Sequence, residues 1–273
     1  MKIGFIQTNP IFGEREKNLA RTIELIEESS EANLVVLPEL CTTGYLFEDI
    51  SELQRLGEKI PDGSSIRAWE KAAKETDTYL VAGICEKALD SKFYNSAVLI
   101  GPDGFIDVYR KIHLFNTEKN FFTPGNGPLK IYDIGLAKIG IIICFDWIFP
   151  EITRILALNG AEIICHPANL VLPYAQKTML GRSIENRIFT ITANRIGEDI
   201  RPESRVQFTG MSQITSPKME LLAQSSEEKE EVQIVEIDPS VARNKMVTSL
   251  NHIFIDRRVD LYKPILKDFT KDK

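Results

Sequence analysis

Histidine is scarce in this chain, which has three among its 273 residues: His113, His166 and His252. A papain-type enzyme needs a histidine beside its cysteine, and a zinc site needs several histidine or cysteine ligands at defined spacing. Cys165 and His166 are adjacent, so on a strand they point to opposite faces, and no second ligand pair accompanies them. We therefore expect no histidine-dependent thiol chemistry and no metal centre.

Glycine-rich phosphate motifs and basic runs are missing as well. The chain has neither a G-x-G-x-x-G nor a Walker pattern, so no nucleotide or other organic cofactor is expected. Its net charge is −6 and its lysines and arginines are dispersed, which argues against a nucleic-acid face or a membrane-surface patch. No apolar run reaches the length of a transmembrane helix. The expected partner is a small molecule.

The four cysteines show no compact disulfide spacing, and each lies in or beside an apolar segment: Cys41, Cys85, Cys144 and Cys165. The first seven residues have the pattern of a strand and lack the long apolar core and cleavage site of a signal peptide. Together these features predict a reduced, cytoplasmic protein.

Strand-like runs alternate with amphipathic helical patterns, which predicts a layered α/β fold in one domain. The predicted helices cover 14–31, 64–76, about 150–159 and about 175–186. The predicted strands cover 3–7, 34–38, 79–84, 95–100, 106–109, 139–143, 161–167, 189–193, 210–216 and 232–237. After about Asn244 the chain is polar with scattered aromatics, and we expect an arm that packs on something, with a second subunit as one option.

One strand ends in an unusual way. An apolar, β-branched run stops abruptly at Cys144, and Asp146 and Pro150 then suit the opening of a helix. The pattern predicts that Cys144 lies where a buried strand turns into a helix, so that helix N-terminal amides can stabilise a thiolate or an oxyanion. Position alone is equally compatible with a small core residue, because free cysteine is among the most buried residue types.

Two other strand ends carry charged residues. Glu39 follows the buried strand at 34–38, and Lys111 follows Arg110 where a strand leaves the sheet. Each has a simpler interpretation, as a loop-capping glutamate and as a solvated basic strand end. His113 lies two residues after Lys111 and would share its face on a strand, which suggests that it packs beside or supports that lysine.

These three segments together resemble the nitrilase superfamily of carbon–nitrogen hydrolases. They are Pro38-Glu39-Leu40, Arg110-Lys111-Ile112-His113-Leu114 and the run from Cys144 to Glu151, in the order and approximate spacing of that family. Further signatures are Tyr94-Asn95-Ser96-Ala97, Phe122-Thr123-Pro124-Gly125 and His166-Pro167-Ala168-Asn169. The resemblance covers roughly residues 1–262 and is strongest to small archaeal-type nitrilase or amidase members. It predicts a carbon–nitrogen hydrolase domain over 1–262 and a C-terminal tail over 263–273.

The resemblance implies an α-β-β-α sandwich that packs face to face with other copies, forming homodimers or higher homo-oligomers. It also implies a catalytic triad of Glu39, Lys111 and Cys144, with Glu118 as a further glutamate near the lysine. The simpler alternative for Glu118 is an exposed loop acid. In the implied chemistry Glu39 deprotonates the thiol, and Lys111 and the N–H of Phe145 stabilise the charge that develops.

The implied activity is hydrolysis of a non-peptide carbon–nitrogen bond through a thioester. Phe145 and Asp146 follow the cysteine, where strict nitrilases of the family carry Trp-Glu, and this favours an amidase or carbamoylase. Trp147 and Ile148 stand where many amidase-like members carry an arginine, which favours a small apolar pocket; we expect substrate contacts from Tyr45, Phe145, Trp147 and Asn169. The alternatives are a nitrilase acting on small aliphatic nitriles, an N-carbamoyl amine amidohydrolase, an acyl transferase and a non-catalytic binding scaffold.

Overall fold

Two six-stranded sheets pack against each other, with helices on their outer faces, in a computed structural model that describes residues 1–272. The α-helices are α1 (Arg15–Glu28), α2 (Ile50–Leu56), α3 (Ser64–Thr76), α4 (Pro150–Leu158) and α5 (Ala175–Asn186). The strands are β1 (Lys2–Gln7), β2 (Leu34–Val36), β3 (Tyr79–Lys87), β4 (Phe93–Gly101), β5 (Gly104–Arg110), β6 (Ile131–Asp133), β7 (Lys138–Ile141), β8 (Ile163–Pro167), β9 (Phe189–Ala193), β10 (Glu198–Ile200), β11 (Arg205–Gln207), β12 (Gln213–Thr215), β13 (Leu221–Gln224) and β14 (Glu231–Glu236).

The two large sheets have the same internal plan. The first has the order β14-β1-β2-β3-β4-β5, and the second has the order β13-β12-β9-β8-β7-β6. Three adjacent strands run parallel in each sheet, β1-β2-β3 in the first and β7-β8-β9 in the second. Each remaining strand pairs with its neighbour in the antiparallel direction. Strands β10 and β11 form a separate antiparallel pair. Because parallel strands end at the same edge of a sheet, the segments that follow β2 and β3, and likewise those that follow β7 and β8, start from common edges.

Alternation along the strands divides the core into layers. On β1, Ile3 and Phe5 join the core that also contains second-sheet residues, whereas Ile6 joins the cluster formed with α1 and α3. Trp69 of α3 is fully buried there and donates its indole N–H to Thr22 of α1, at 3.0 Å. On the other side α4 and α5 contribute to the core of the second sheet. The layer order is therefore α-β-β-α, and the predicted fold class is confirmed.

Three of the predicted helices and strands agree closely with the structure. The predicted bounds of α3, α5 and β9 match the structure to the residue. Other predicted strands were too long. The strand predicted over 34–38 ends at Val36, the one over 139–143 ends at Ile141, and β12 covers three of the seven residues predicted over 210–216. The sequence analysis missed the short elements α2, β6, β10, β11 and β13, because runs of three to seven residues carry little periodic signal.

The C-terminal arm lies largely on the surface. Lys245 anchors its start, donating from Nζ to the carbonyls of Asn186 and Arg187 at the end of α5, both at 2.9 Å. Farther along, Leu250 and Leu266 are 87% and 82% exposed. Residues 263–270 are exposed throughout, and Lys273, the last residue of the predicted tail, lies outside the described residues. An arm with uncovered apolar side chains is compatible with packing on a second subunit, which stays a prediction.

Within residues 1–272, no helix combines the length and the apolarity needed to cross a membrane.

Gly83 of β3 allows the segment after β2 to approach the sheet closely. Its N–H donates to the carbonyl of Pro38 at 3.1 Å, and its carbonyl accepts from the N–H of Cys41 at 3.2 Å. A Cβ at this position would lie 2.4 Å from the Cα of Glu39 and 2.5 Å from the carbonyl oxygen of Pro38. Both obstacles are backbone atoms, so a side chain at residue 83 would have to displace the peptide that carries Glu39.

We predict that Gly83→Ala lowers the free energy of unfolding by roughly 1–3 kcal/mol, the usual cost of overpacking a core, and shifts the backbone at Glu39. Gly127→Ala is the matched control, because a Cβ there meets nothing within 4 Å. Urea unfolding of both variants measures the difference. Equal stabilities for the two variants would show that the close approach at Gly83 imposes no constraint.

Candidate active site

Glu39 lies just beyond β2, and its side chain is fully buried. Two residues before it, the N–H of Leu37 donates to the carbonyl of Val81 in β3. The Oε1 atom of Glu39 accepts from Asn95 Nδ2 at 2.6 Å and from Lys111 Nζ at 2.7 Å. Its Oε2 is buried and has no hydrogen-bond partner among the described residues. A buried carboxylate with one oxygen held and the other unpaired is placed to accept a proton.

Lys111 follows β5 directly, and hydrogen bonds hold both its backbone N–H and its backbone carbonyl. Its N–H donates to the carbonyl of Asn95, and its carbonyl accepts from the N–H of Gly125, both at 2.8 Å. Its fully buried ammonium lies 2.7 Å from Glu39 Oε1 and 2.8 Å from Glu118 Oε1. Burial lowers the pKa of Lys111, but Glu118 and Glu39 outweigh that effect, so the net pKa is raised and the group is a cation.

Glu118 belongs to a short 3-10 helix, Asn116–Asn120, and is buried, which overturns the alternative of an exposed loop acid. The polar residues around Glu118 in the sequence gave no sign of this burial. Its Oε1 also accepts from the Tyr45 hydroxyl at 2.7 Å, and its Oε2 accepts from the N–H of Phe115 at 3.2 Å. Burial raises the pKa of Glu118, with Glu39 adding to the rise and Lys111 opposing it.

Cys144 lies in a 3-10 helix, Cys144–Ile148, three residues beyond the end of β7, and α4 begins only at Pro150. The helix predicted at about 150–159 is confirmed by α4, but the sequence did not predict that Cys144 itself lies in a 3-10 helix ahead of it. The physical reason is the Asp146 carboxylate, which folds back and accepts from the N–H of Ile143 at 2.9 Å, closing a tight turn. Cys144 has a φ of 40°, in the left-handed region. The backbone N–H groups that follow Cys144 in the sequence therefore belong to this 3-10 helix and not to the N-terminus of α4.

The Cys144 thiol shares one electrostatic environment with the two glutamates and the lysine. Burial raises its pKa well above the usual range, Glu39 adds to the rise, and Lys111 opposes it. The thiol also donates to the carbonyl of Asn169, with Sγ 3.7 Å from the oxygen. At neutral pH Cys144 is thus a protonated thiol that needs a base before it can act as a nucleophile.

A small, mostly apolar cleft opens in front of Cys144. Three of the four predicted substrate contacts line it, namely Phe145, Trp147 and Asn169. Asn169 is 2% exposed, and neither its amide oxygen nor its amide nitrogen has a partner in the described part of the chain. Tyr45 does not line this cleft; burial raises the pKa of its hydroxyl, which remains protonated and donates to Glu118.

Asp146 ties the cysteine turn to the lysine segment. Besides the Ile143 amide, its buried carboxylate accepts from the Tyr109 hydroxyl at 2.7 Å and contacts His113 Nδ1 at 2.8 Å. His113 stacks on Phe149, with ring centroids 3.7 Å apart. Because β5 ends at Arg110, His113 does not share a strand face with Lys111 as predicted; it supports the site through Asp146 instead. Sequence analysis missed the roles of Tyr109, Asp146 and Asn95, although Asn95 lies in one of the recognised signatures.

His166 of β8 lies behind the cysteine turn and is fully buried. Its Nε2 is 3.0 Å from the carbonyl oxygen of Cys144, and its Nδ1 is 3.0 Å from Thr192 Oγ1. Burial lowers the pKa of His166 to about 4. The imidazole is therefore neutral at physiological pH.

Among residues 1–272, no group of three or more histidine, cysteine or acidic side chains is arranged to hold a metal ion.

Comparisons with known proteins show which family this chain is similar to. The carbon-nitrogen hydrolase family model matches residues 2–245. A nitrilase of Pyrococcus abyssi is 48% identical over 96% of this chain and 99% of its own length. An N-carbamoylputrescine amidase of Arabidopsis thaliana is 30% identical over 91% of this chain and 90% of its own. The crystal structure of a carbon-nitrogen hydrolase from Helicobacter pylori superposes with a TM-score of 0.87 at 27% identity, covering 98% of both chains.

The low pKa of His166 predicts a specific pH dependence of stability. Between pH 6.5 and about 4 the unfolded chain takes up a proton at this histidine that the folded chain does not, so the free energy of unfolding falls as the pH falls. The slope from this group approaches about 1.4 kcal/mol per pH unit within that window and vanishes above it. Denaturant unfolding of the parent protein and of His166→Gln at a series of pH values measures it. A constant difference between the two proteins from pH 7 to 4 would contradict the prediction.

Proposed function

The chain belongs to the carbon–nitrogen hydrolase family, and we propose that it uses Cys144 to hydrolyse a non-peptide carbon–nitrogen bond in a small, amide-type molecule. The observation that carries the proposal is the buried cluster around Lys111. Its ammonium bridges Glu39 and Glu118 at 2.7 and 2.8 Å, and the second oxygen of Glu39 is left unpaired in the environment of a protonated thiol.

The first step is proton transfer followed by attack. Glu39 Oε2 takes the thiol proton, and the Cys144 sulfur forms a bond to the carbonyl carbon while the carbonyl π-electrons move to oxygen. The protonated thiol makes this base necessary, because little thiolate exists at rest. Asn95 and Lys111 hold the other oxygen of Glu39, which fixes the direction in which the proton moves.

Negative charge on the tetrahedral oxygen needs fixed donors. We propose that the Lys111 ammonium and the N–H of Phe145 supply them, since preorganised donors in a dry site stabilise such charge far more than water does. The intermediate then collapses: the carbon–nitrogen bond breaks, Glu39 returns its proton to the departing ammonia or amine, and a thioester remains on Cys144. Water that loses a proton to Glu39 attacks the thioester, and the thiol leaves with that proton as the acid is released.

Glu118 and Tyr45 act behind the lysine in this proposal. Glu118 accepts a hydrogen bond from Lys111, and the Tyr45 hydroxyl donates to Glu118 at 2.7 Å. Tyr45 thereby positions the lysine instead of contacting the substrate directly.

The cleft indicates the kind of acyl group. Phe115, Trp147 and Leu170 contribute apolar surface, and no charged side chain lines the cleft among the described residues. Asn169 adds one buried amide whose donor and acceptor are both unpaired. A primary amide offers the complementary acceptor and donor, so we propose a small amide with an apolar acyl group. An N-carbamoyl amine has the same complementary groups, and the plant relative is named for such a substrate.

A nitrile is the second candidate, favoured by the Pyrococcus relative named a nitrilase at 48% identity. Attack of the Cys144 thiolate on a nitrile carbon gives a thioimidate, with the developing charge on nitrogen in place of oxygen. Addition of water and loss of ammonia then give the same thioester. The proposed residues serve both substrates, which differ only in the first adduct.

We propose further that the protein is cytoplasmic and forms at least a homodimer. All four cysteines are free and buried, as suits a reducing compartment. The exposed apolar side chains of the arm, including Leu250 and Leu266, are the surface that a second copy would cover.

A matched set of small straight-chain alkyl compounds tests the reaction class. We expect Cys144-dependent release of ammonia from butyramide, from N-butylurea or from butyronitrile, with the preferred compound identifying the substrate class. Cys144→Ala removes the nucleophile, so it should fold normally and release none. Cys165→Ala is the matched control, because that buried cysteine lies in β8 and should be dispensable for turnover. Full activity in Cys144→Ala would rule out the proposed function, and so would inactivity of the parent protein on all three compounds.

The second test concerns the base. Glu39→Gln keeps the size and much of the hydrogen bonding but cannot accept the thiol proton, so we expect kcat to fall by about 10²–10⁴-fold. Glu58→Gln is the control, since Glu58 is also buried but accepts from Ser64 Oγ at 3.0 Å and the Ser65 N–H at 2.9 Å. Circular dichroism checks that both variants fold. Parent-like turnover in Glu39→Gln at matched pH would refute the role of the carboxylate even if Cys144 proved essential.

A further inference from the structure

The peptide between Cys144 and Phe145 is held from behind by a histidine that the proposed reaction does not use. The Nε2 atom of His166 lies 3.0 Å from the Cys144 carbonyl oxygen. His166 is fully buried in β8, so this contact is shielded from competing water.

The tautomer of this histidine follows from its two partners. A neutral imidazole has one N–H, and a carbonyl oxygen can only accept, so the proton is on Nε2. Nδ1 must then accept, and the Thr192 hydroxyl donates to it at 3.0 Å. His166 and Thr192 are directly paired in the parallel register of β8 and β9. The sheet register thus places the Thr192 hydroxyl beside Nδ1, and the Cys144 carbonyl fixes the proton on Nε2.

Holding this carbonyl also fixes the neighbouring amide. The Cys144 C=O and the Phe145 N–H belong to one planar peptide unit and point in opposite directions. Cys144 has a φ of 40°, a left-handed conformation that costs a non-glycine residue roughly 1–2 kcal/mol and so needs support from its surroundings. The Phe145 N–H precedes the first hydrogen bond of the turn, which runs from the Asp146 N–H to the Ile143 carbonyl at 3.0 Å.

We infer that His166 is a positioning residue for charge stabilisation: through its Nε2–H it locks the Cys144–Phe145 peptide so that the Phe145 N–H faces the atom that becomes negative. The inference rests on the proposed function, because it assigns support to a donor of that reaction. It adds a residue that touches neither substrate nor thiol and acts through the backbone alone.

Two substitutions separate this role from simple packing. His166→Phe keeps a planar ring but removes the donor, whereas His166→Gln places an amide N–H near the position of Nε2. We measure kcat and KM for butyramide and butyronitrile, and separately the rate at which iodoacetamide alkylates Cys144. Alkylation is a displacement at a saturated carbon, which builds no charge on a carbonyl oxygen or nitrile nitrogen and does not need the Phe145 amide.

In His166→Phe we expect kcat to fall by about 10²-fold, the scale of losing one oxyanion donor, with KM and the alkylation rate close to those of the parent. His166→Gln should recover most of the lost kcat. If His166→Phe does not fold, Thr192→Val gives the second test: loss of the donor to Nδ1 should lower kcat, to a smaller extent, and again spare alkylation.

Parent-like kcat in His166→Phe would overturn the inference. So would equal losses of turnover and alkylation in both His166 variants, which would indicate general damage to the site. If the parent protein itself shows no Cys144-dependent ammonia release, the proposed function fails and the inference falls with it. A normal parent with an unaffected His166→Phe variant refutes the inference alone.

Discussion

The site depends on one constraint: a fully buried lysine must keep its charge. Lys111 does so because Glu39 and Glu118 lie within 2.8 Å of its ammonium. Removing one partner from such a buried pair typically costs about 3–5 kcal/mol, since the remaining charge is left without compensation. The segments after β2 and after β5 and the 3-10 helix at Asn116–Asn120 must therefore meet at one point, and the thiol of Cys144 is brought into the same field.

Backbone and side-chain contacts together hold these segments. The bare Cα of Gly83 admits the peptide that carries Glu39, and the N–H of Gly125 binds the carbonyl of Lys111. The Asp146 carboxylate closes the cysteine turn by accepting from the Ile143 N–H and the Tyr109 hydroxyl. His166 contacts the same turn at the carbonyl oxygen of Cys144. The sandwich thus supplies a rigid frame in which a strained turn and a buried cation persist together.

Several helices and strands could be read from the sequence, whereas the grouping of Glu39, Lys111 and Cys144 followed only from the resemblance to the family. Helix α3 and strand β9 show clear patterns, and Glu39 and Lys111 each follow a strand as expected. The tight turn at Cys144 could not be read, because it depends on Asp146 bonding back to Ile143, and Asp146 with Pro150 carries the same signal as a helix start. The support from Tyr109 and His166 joins side chains to partners 37 and 22 positions away in the sequence, and no local pattern encodes such pairings.

The central claim is covalent chemistry at Cys144, and acid-quenched mass spectrometry during turnover of butyramide or butyronitrile tests it most directly. The account predicts a butyryl adduct on the peptide that contains Cys144, appearing with turnover and disappearing as substrate is exhausted. An adduct on Cys41, Cys85 or Cys165 would contradict the account. So would sustained ammonia release by a Cys144→Ala variant, because a thioester on this sulfur would then be unnecessary.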